Sequence, residues 1–224
     1  MPVIIRSCGQ SCRESSPPLM RAFDAILFDF DGVLADTEPV HWACWAEALA
    51  PHGISLDWET YRANCIGLAD QDLVAFVAAR LATPDSLDRL WAEYPLKQEL
   101  FRRRMLEQPP ISAEVTELLD SLAGYKLAIV SSSSLSELAP VLERAGLLDR
   151  FSTLVCREDV TQHKPAPDPY LVAARRLSAE RPLVVEDSEA GLESGRAAGF
   201  EVLHIPEPRR MPELVRARLA STFR

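Results

Sequence analysis

Five short apolar runs, most of them separated by helix-like stretches, constrain this 224-residue chain more than any other feature. They fall at residues 25–30, 126–130, 152–156, 182–186 and 201–205. Each has the length of a strand rather than of a helix, and the first stops at Asp31-Gly32, a turn pair. Strands alternating with helices build a parallel sheet covered on both faces, so the predicted fold class is α/β.

The first gap breaks the rhythm. From about Glu38 to Gln108 the chain is helical in character, with no convincing strand, and Thr83-Pro84 reads as an N-cap and first helical residue. One continuous α/β domain with a long helical excursion is the plainer alternative. Loop length favours an inserted all-helical domain over 38–108, closed off by Pro109-Pro110, with 21–37 and 109–224 as the core. Residues 1–20, rich in Ser, Arg and Pro, read as a flexible tail, or Met20 is the true start. Their apolar run of only three residues, Val3 to Ile5, lacks the core of a secretory signal.

Composition narrows the function. With 24 Lys and Arg against 33 Asp and Glu, the net charge is −9, which argues against a phosphate-tracking nucleic-acid binder. The same charge repels a free anionic substrate, so chemistry on phosphorylated molecules needs local positive charge. No apolar run approaches a membrane span. The five cysteines form no CxxC pair, as expected of reduced thiols in a cytoplasmic protein.

Chemistry concentrates at the strand ends. Asp29 and Asp31 stand two residues apart at the carboxyl end of the first strand, where side chains at i and i+2 share a side and open α/β sheets bind ligands. Paired carboxylates repel unless a cation or a shared proton relieves them, and Asp29 inside an apolar run is costly without a partner. Ser131 closes the second strand, while Ser134 with Glu137 fits a capping box. Lys164 lies in a Pro-rich frame at the predicted head of a helix, and Glu186-Asp187 end the fourth strand. Gly191, Gly195 and Gly199, four apart, suggest close packing of a helix on the sheet.

Asp29 to Glu38, DFDGVLADTE, resembles the first motif of the haloacid dehalogenase-like superfamily. Ser131, the segment His163 to Asp168 (HKPAPD) and Val184 to Gly191 (VVEDSEAG) are similar to its later motifs, in order, over residues 23 to about 205. Their style is that of the β-phosphoglucomutase and sugar-phosphatase branch. The resemblance implies a Rossmann-like core with the insert as a helical cap that closes over the site. It implies Asp29 as nucleophile, Asp31 as general acid and base, and Ser131 and Lys164 on the transferring phosphoryl group. Mg²⁺ would be bound by Asp29, the main-chain carbonyl of Asp31 and Asp187, with Glu186 coordinating or acting through water.

The activity so implied is an Mg²⁺-dependent phosphatase of a small phosphorylated metabolite, a sugar or polyol phosphate, working as a monomer or homodimer without nucleic acid or membrane. Dehalogenases of the superfamily dispense with the general acid that Asp31 supplies. The alternative is a sugar-phosphate mutase. His41 and Lys97 fall where that mutase has a hinge His and a cap Lys, although a helix-surface His and a solvated Lys explain them equally well. Its second-phosphate Arg is absent from Leu68-Ala69-Asp70-Gln71-Asp72, and its substrate-contacting Lys and Asn are Ser134 and Leu135 here. A third alternative, a catalytically silent binding protein, is disfavoured by the presence of Asp29, Asp31, Lys164 and Asp187. Trp42, Trp45, Trp58 and Trp91 all lie in the insert and read as core rather than substrate platform.

Overall fold

A computed structural model of the chain describes residues 22–81 and 86–221. The Thr83-Pro84 helix start, the N-terminal segment with Met20, and Cys8 and Cys12 lie outside the described residues. All five apolar runs form strands: β1 (Ala25–Phe28), β2 (Lys126–Val130), β3 (Thr153–Val155), β4 (Pro182–Glu186) and β5 (Glu201–His204). Between β1 and β2 come α1 (Glu38–Leu49), α2 (Trp58–Asn64), α3 (Asp70–Ala78), α4 (Ser86–Trp91), α5 (Tyr94–Glu107) and α6 (Ala113–Ser121). α7 (Leu135–Ala145), α8 (Asp168–Leu177), α9 (Glu189–Ala197) and α10 (Met211–Ala220) follow β2, β3, β4 and β5 in turn.

The strands pair in parallel in the order β3-β2-β1-β4-β5, with β1 central and in register with both neighbours, Phe28 opposite Ile129 and Val185. Alternation sends Ile26 and Phe28 to one face, against Leu118, Leu142 and Met211 of α6, α7 and α10. Ala25 and Leu27 go to the other, against Tyr170 and Ala173 of α8. The result is a three-layer Rossmann-like α/β fold. Ile26, Leu27 and Phe28 are fully buried, which stabilises the sheet by about 1.5–3 kcal/mol per side chain.

β1 is shorter than its apolar run because the carbonyl of Phe30 accepts the N–H groups of Val33, Leu34 and Ala35 at 3.4, 3.0 and 3.0 Å, turning the chain. Asp29 still continues the ladder, donating its N–H to Val185 O at 3.0 Å. The helices α1 to α4 bury Trp45, Leu49, Tyr61, Leu73, Val77 and Leu90 in an apolar cluster separate from those flanking the sheet. Trp45 is fully buried there, with Trp42, Trp58 and Trp91 packed around it.

The three spaced glycines differ in their reasons. A Cβ on Gly195 would lie 2.7 Å from Val202 Cγ2 and 3.1 Å from Val184 Cγ1, the helix-on-sheet contact expected. One on Gly191 would strike the Glu186 carboxylate instead. Gly199 has open space and a φ of +79°, so it serves the turn out of α9 and not packing.

Candidate active site

Asp29 follows β1, Ser131 follows β2, and Glu186 and Asp187 stand at the end of β4. All four are therefore on the carboxyl edge of the sheet, where the strand order reverses around β1. Lys164 reaches them from a turn rather than from the head of a helix. Ala166 donates its N–H to His163 O at 2.8 Å across that turn, and α8 begins only at Asp168.

The Lys164 ammonium makes three bonds: 2.5 Å to Asp29 Oδ1, 2.5 Å to Glu186 Oε1 and 3.0 Å to Val130 O. Glu186 has no exposed surface, and both its oxygens are occupied. Oε1 also accepts the Tyr170 hydroxyl at 2.7 Å. Oε2 accepts the N–H of Asp187 at 3.1 Å and the N–H and hydroxyl of Ser188 at 3.3 and 3.1 Å. Five donors on one buried carboxylate satisfy it, as such a charge requires. Gly191 and Gly32 make room: a Cβ on Gly32 would lie 2.0 Å from Asp187 Oδ2, and its φ of +75° already favours glycine.

One ammonium serves several carboxylates, and the acids respond. Burial pushes Asp29 well above the carboxylate range; Lys164 pulls it down, and Glu186 and Asp31 push it up further. Burial and the nearby Glu186 push Asp187 up to about 7. Lys164 is lowered by burial but raised overall by Asp29 and Glu186, so it stays charged. Asp31 is raised by burial against the pull of Thr37, Lys164 and Ser133, which suits a carboxyl that must hold a proton at one stage.

Oxygens of Asp29, Glu186 and Asp187 lie within 4.8 Å of one another. Three carboxylates crowded around one ammonium leave an excess of negative charge on hard oxygen donors, which fits a divalent cation of the Mg²⁺ type. The Asp31 side chain is outside that group and instead faces the hydroxyls of Thr37 and Ser133. Neither hydroxyl was singled out by sequence. Thr37 is buried yet adjoins the Asp-Gly loop, and Ser133 lies within the Ser run, so proximity to the motifs was the available signal.

Ser131 is buried at the end of β2, donates its N–H to Val155 O and accepts the Ser133 N–H on Oγ at 3.1 Å. Ser134 is bound through its N–H and hydroxyl by Glu137 at the start of α7, the capping box expected. His41 and Lys97 are brought together in the insert, Lys97 Nζ donating to His41 Nδ1 at 2.9 Å. Lys97 is 2% exposed, which overturns the solvated-lysine explanation. A cavity of about 720 Å³ lies elsewhere, between α1, α5 and residues 109–112, and no strand-end acid lines it.

A family model described as haloacid dehalogenase-like hydrolase matches residues 26–205. The N-acetylmuramic acid 6-phosphate phosphatase of Pseudomonas aeruginosa is 34% identical over 183 residues, covering 78% of each chain. The fructose-1-phosphate phosphatase of Escherichia coli is 30% identical over 192 residues, covering 82% of this chain and 96% of its own. Among solved structures, a HAD family hydrolase from Deinococcus radiodurans with bound phosphate and sodium superposes with a TM-score of 0.71 at 27% identity, over 91% of this chain and 97% of that one. With the strand-end acids, the buried lysine and these matches together, the chain belongs to the haloacid dehalogenase-like hydrolase family.

Proposed function

We propose that this protein is an Mg²⁺-dependent phosphatase of a small phosphorylated metabolite, a sugar or polyol phosphate, working through an aspartyl-phosphate on Asp29. The observation that carries the reading is Lys164, buried and bridging Asp29 to Glu186 beside Asp187 at the strand ends. In this reading 38–108 form the cap domain and 21–37 with 109–224 the core. The enzyme works in the cytoplasm as a monomer or homodimer, without nucleic acid or membrane. Buried, unpaired Cys44, Cys65 and Cys156 support that compartment, and no described helix is long and apolar enough to cross a membrane.

Asp29, with Oδ1 held by Lys164, attacks phosphorus with a carboxylate oxygen. The bond from phosphorus to the leaving oxygen breaks, and Asp31 gives that oxygen its proton. Water then attacks the phosphorus of the aspartyl-phosphate, Asp31 takes the water's proton, and the Asp29–phosphorus bond breaks to release phosphate. Ser131 and Lys164 hold the equatorial oxygens, so the positive charge demanded by a −9 chain is supplied locally. Asp29, Asp187 and the Asp31 carbonyl would hold Mg²⁺, which when bound would supply further charge neutralisation. Glu186, saturated by five donors, acts by fixing Lys164 and the start of α9, which leaves it little capacity to coordinate.

The test is phosphate release with Mg²⁺ from fructose 1-phosphate, sorbitol 6-phosphate, phosphoglycolate and N-acetylmuramic acid 6-phosphate, with Asp29→Asn as control. Release that persists in Asp29→Asn overturns the mechanism. Formation of glucose 6-phosphate from β-glucose 1-phosphate and its bisphosphate would replace the reading with the mutase. Inactivity on every substrate would leave the silent binder.

A further inference from the structure

The cap cluster around Lys97 is closed on itself. Lys97 Nζ has three protons, and its bonds go to His41 Nδ1 at 2.9 Å, Asp70 Oδ1 at 2.6 Å and Asp70 Oδ2 at 2.8 Å. Trp45 Nε1 donates to the same Asp70 Oδ1 at 2.6 Å. An ammonium only donates, so His41 accepts on Nδ1 and is neutral, with its own proton on Nε2. Burial first, and Lys97 second, hold its pKa down to about 4 against the pull of Asp70. The net charge of the cluster is therefore zero.

This cluster borders the reacting groups. Glu38, whose charge is felt by Asp31, lies three residues before His41 on α1, so the two share a face about one helical turn apart. The Asp70 side chain retains 26% exposure, and Glu38 Oε1 accepts the Gly67 N–H at 3.2 Å, which ties the loop that opens α3 at Asp70 to the segment beside Thr37 and Asp31. Lys164, at the strand ends, is likewise held by two carboxylates, Asp29 and Glu186.

We propose that Asp70 is a specificity-determining residue: by occupying two of the three Lys97 protons it keeps the Lys97 cluster electrically neutral, so the enzyme takes phosphomonoesters with uncharged leaving groups and rejects those with a second phosphate. This rests on the phosphatase reading above. The physical basis is rejection by absence. A second dianionic group beside the cluster loses hydration and finds Lys97 already compensated, and the exposed edge of Asp70 repels it.

The test compares kcat/KM for fructose 1-phosphate and fructose 1,6-bisphosphate, taken as a ratio within each protein so that uniform losses cancel. The native enzyme should favour the monophosphate at least tenfold. Asp70→Asn keeps the side chain's size but replaces one of the two oxygens that accept from Lys97 with an amide nitrogen that cannot, leaves Lys97 uncompensated, and should move the ratio toward the bisphosphate about tenfold, chiefly in KM. Asp70→Asn combined with Lys97→Met restores neutrality and should bring the ratio back, a rescue that repair of packing alone would not give. Should Asp70→Asn fail to fold by circular dichroism, Lys97→Met alone should push the ratio severalfold further toward the monophosphate. A native preference for the bisphosphate, or a ratio in Asp70→Asn (or in Lys97→Met as its replacement) within twofold of native, overturns the proposal. If the native protein hydrolyses neither these substrates nor p-nitrophenyl phosphate, the phosphatase reading itself fails. Calorimetric binding of the two fructose phosphates to native protein and Asp70→Asn then still decides the charge rule, equal changes in affinity for both ligands counting against it.

Discussion

Gly191→Ala is a single methyl whose effect can be worked from the structure. The added Cβ would sit 1.9 Å from Glu186 Oε1, 2.0 Å from Cδ and 2.2 Å from Oε2. Ordinary non-bonded contact begins near 3.5 Å, so about 1.5 Å of movement is needed. The carboxylate cannot give cheaply, because Lys164, Tyr170, Asp187 and Ser188 all hold it. Nor can α9 simply lift, because Ser188, its N-cap, accepts the Gly191 N–H at 3.2 Å while donating to the same carboxylate. Overpacking costs about 1–3 kcal/mol, and separating a buried ion from its partner about 3–5 kcal/mol. Alanine returns up to about 1 kcal/mol in helix propensity. The net expectation is a loss of at least about 3 kcal/mol, a melting point lowered by at least roughly 6–12 °C in a chain of this size. Turnover of p-nitrophenyl phosphate should fall at least ~100-fold below the melting point, since Lys164 loses an anchor. Gly195→Ala is the comparison, because its Cβ meets valine methyls that can yield: about 1–2 kcal/mol lost, with activity kept. The sign is diagnostic. If Gly191→Ala melts higher than the native protein, or keeps activity within threefold, Glu186 is not locked as described.

Other perturbations probe the same network. Lys164→Met strands Glu186 and Asp29 together and should cost about 3–5 kcal/mol in urea unfolding along with all activity; a stable variant would show the ion pair to be dispensable. Tyr170→Phe removes only one of five donors to Glu186, so a loss of about 1–2 kcal/mol with less than tenfold change in turnover is expected, and a larger catalytic effect would place Tyr170 nearer the reaction. His41, held at about 4 by burial and Lys97 against an unfolded value of 6.5, binds fewer protons folded than unfolded. Its contribution to stability is thus complete above pH 6.5 and is lost as pH falls toward 4, at up to about 1.4 kcal/mol per pH unit. His41→Gln should remove that slope from urea melts between pH 4.5 and 6.5, and an unaltered slope would assign it to other groups.

Strand-end chemistry was legible in the sequence because each part is local. Asp29, Ser131, Glu186 and Asp187 sit at or beside the ends of apolar runs, and a run that ends in an acid or a serine announces both the strand and the site. Exact ends were not legible. The shortening of β1 depends on three N–H groups converging on the Phe30 carbonyl, and the placement of Lys164 in a turn depends on the His163–Ala166 bond; neither leaves a periodic trace.

What sequence reading could not supply is contact between remote helices. Lys97 lies 56 residues from His41 and 27 from Asp70, and Trp45 lies 25 from Asp70. A lysine on a helix is ordinarily solvated, and no local pattern distinguishes one that packs beneath Trp45 and Phe101. The absence of an arginine after Gly67 was visible; that Asp70, in the same short segment, neutralises the lysine facing it was not. These two facts have one consequence: a missing cation weakens the hold on a second phosphate, and a carboxylate on Lys97 weakens it further. In the proposed reading the reaction is set by residues that speak locally, while the choice of substrate is set by a charge balance that exists only after α1, α3 and α5 have packed.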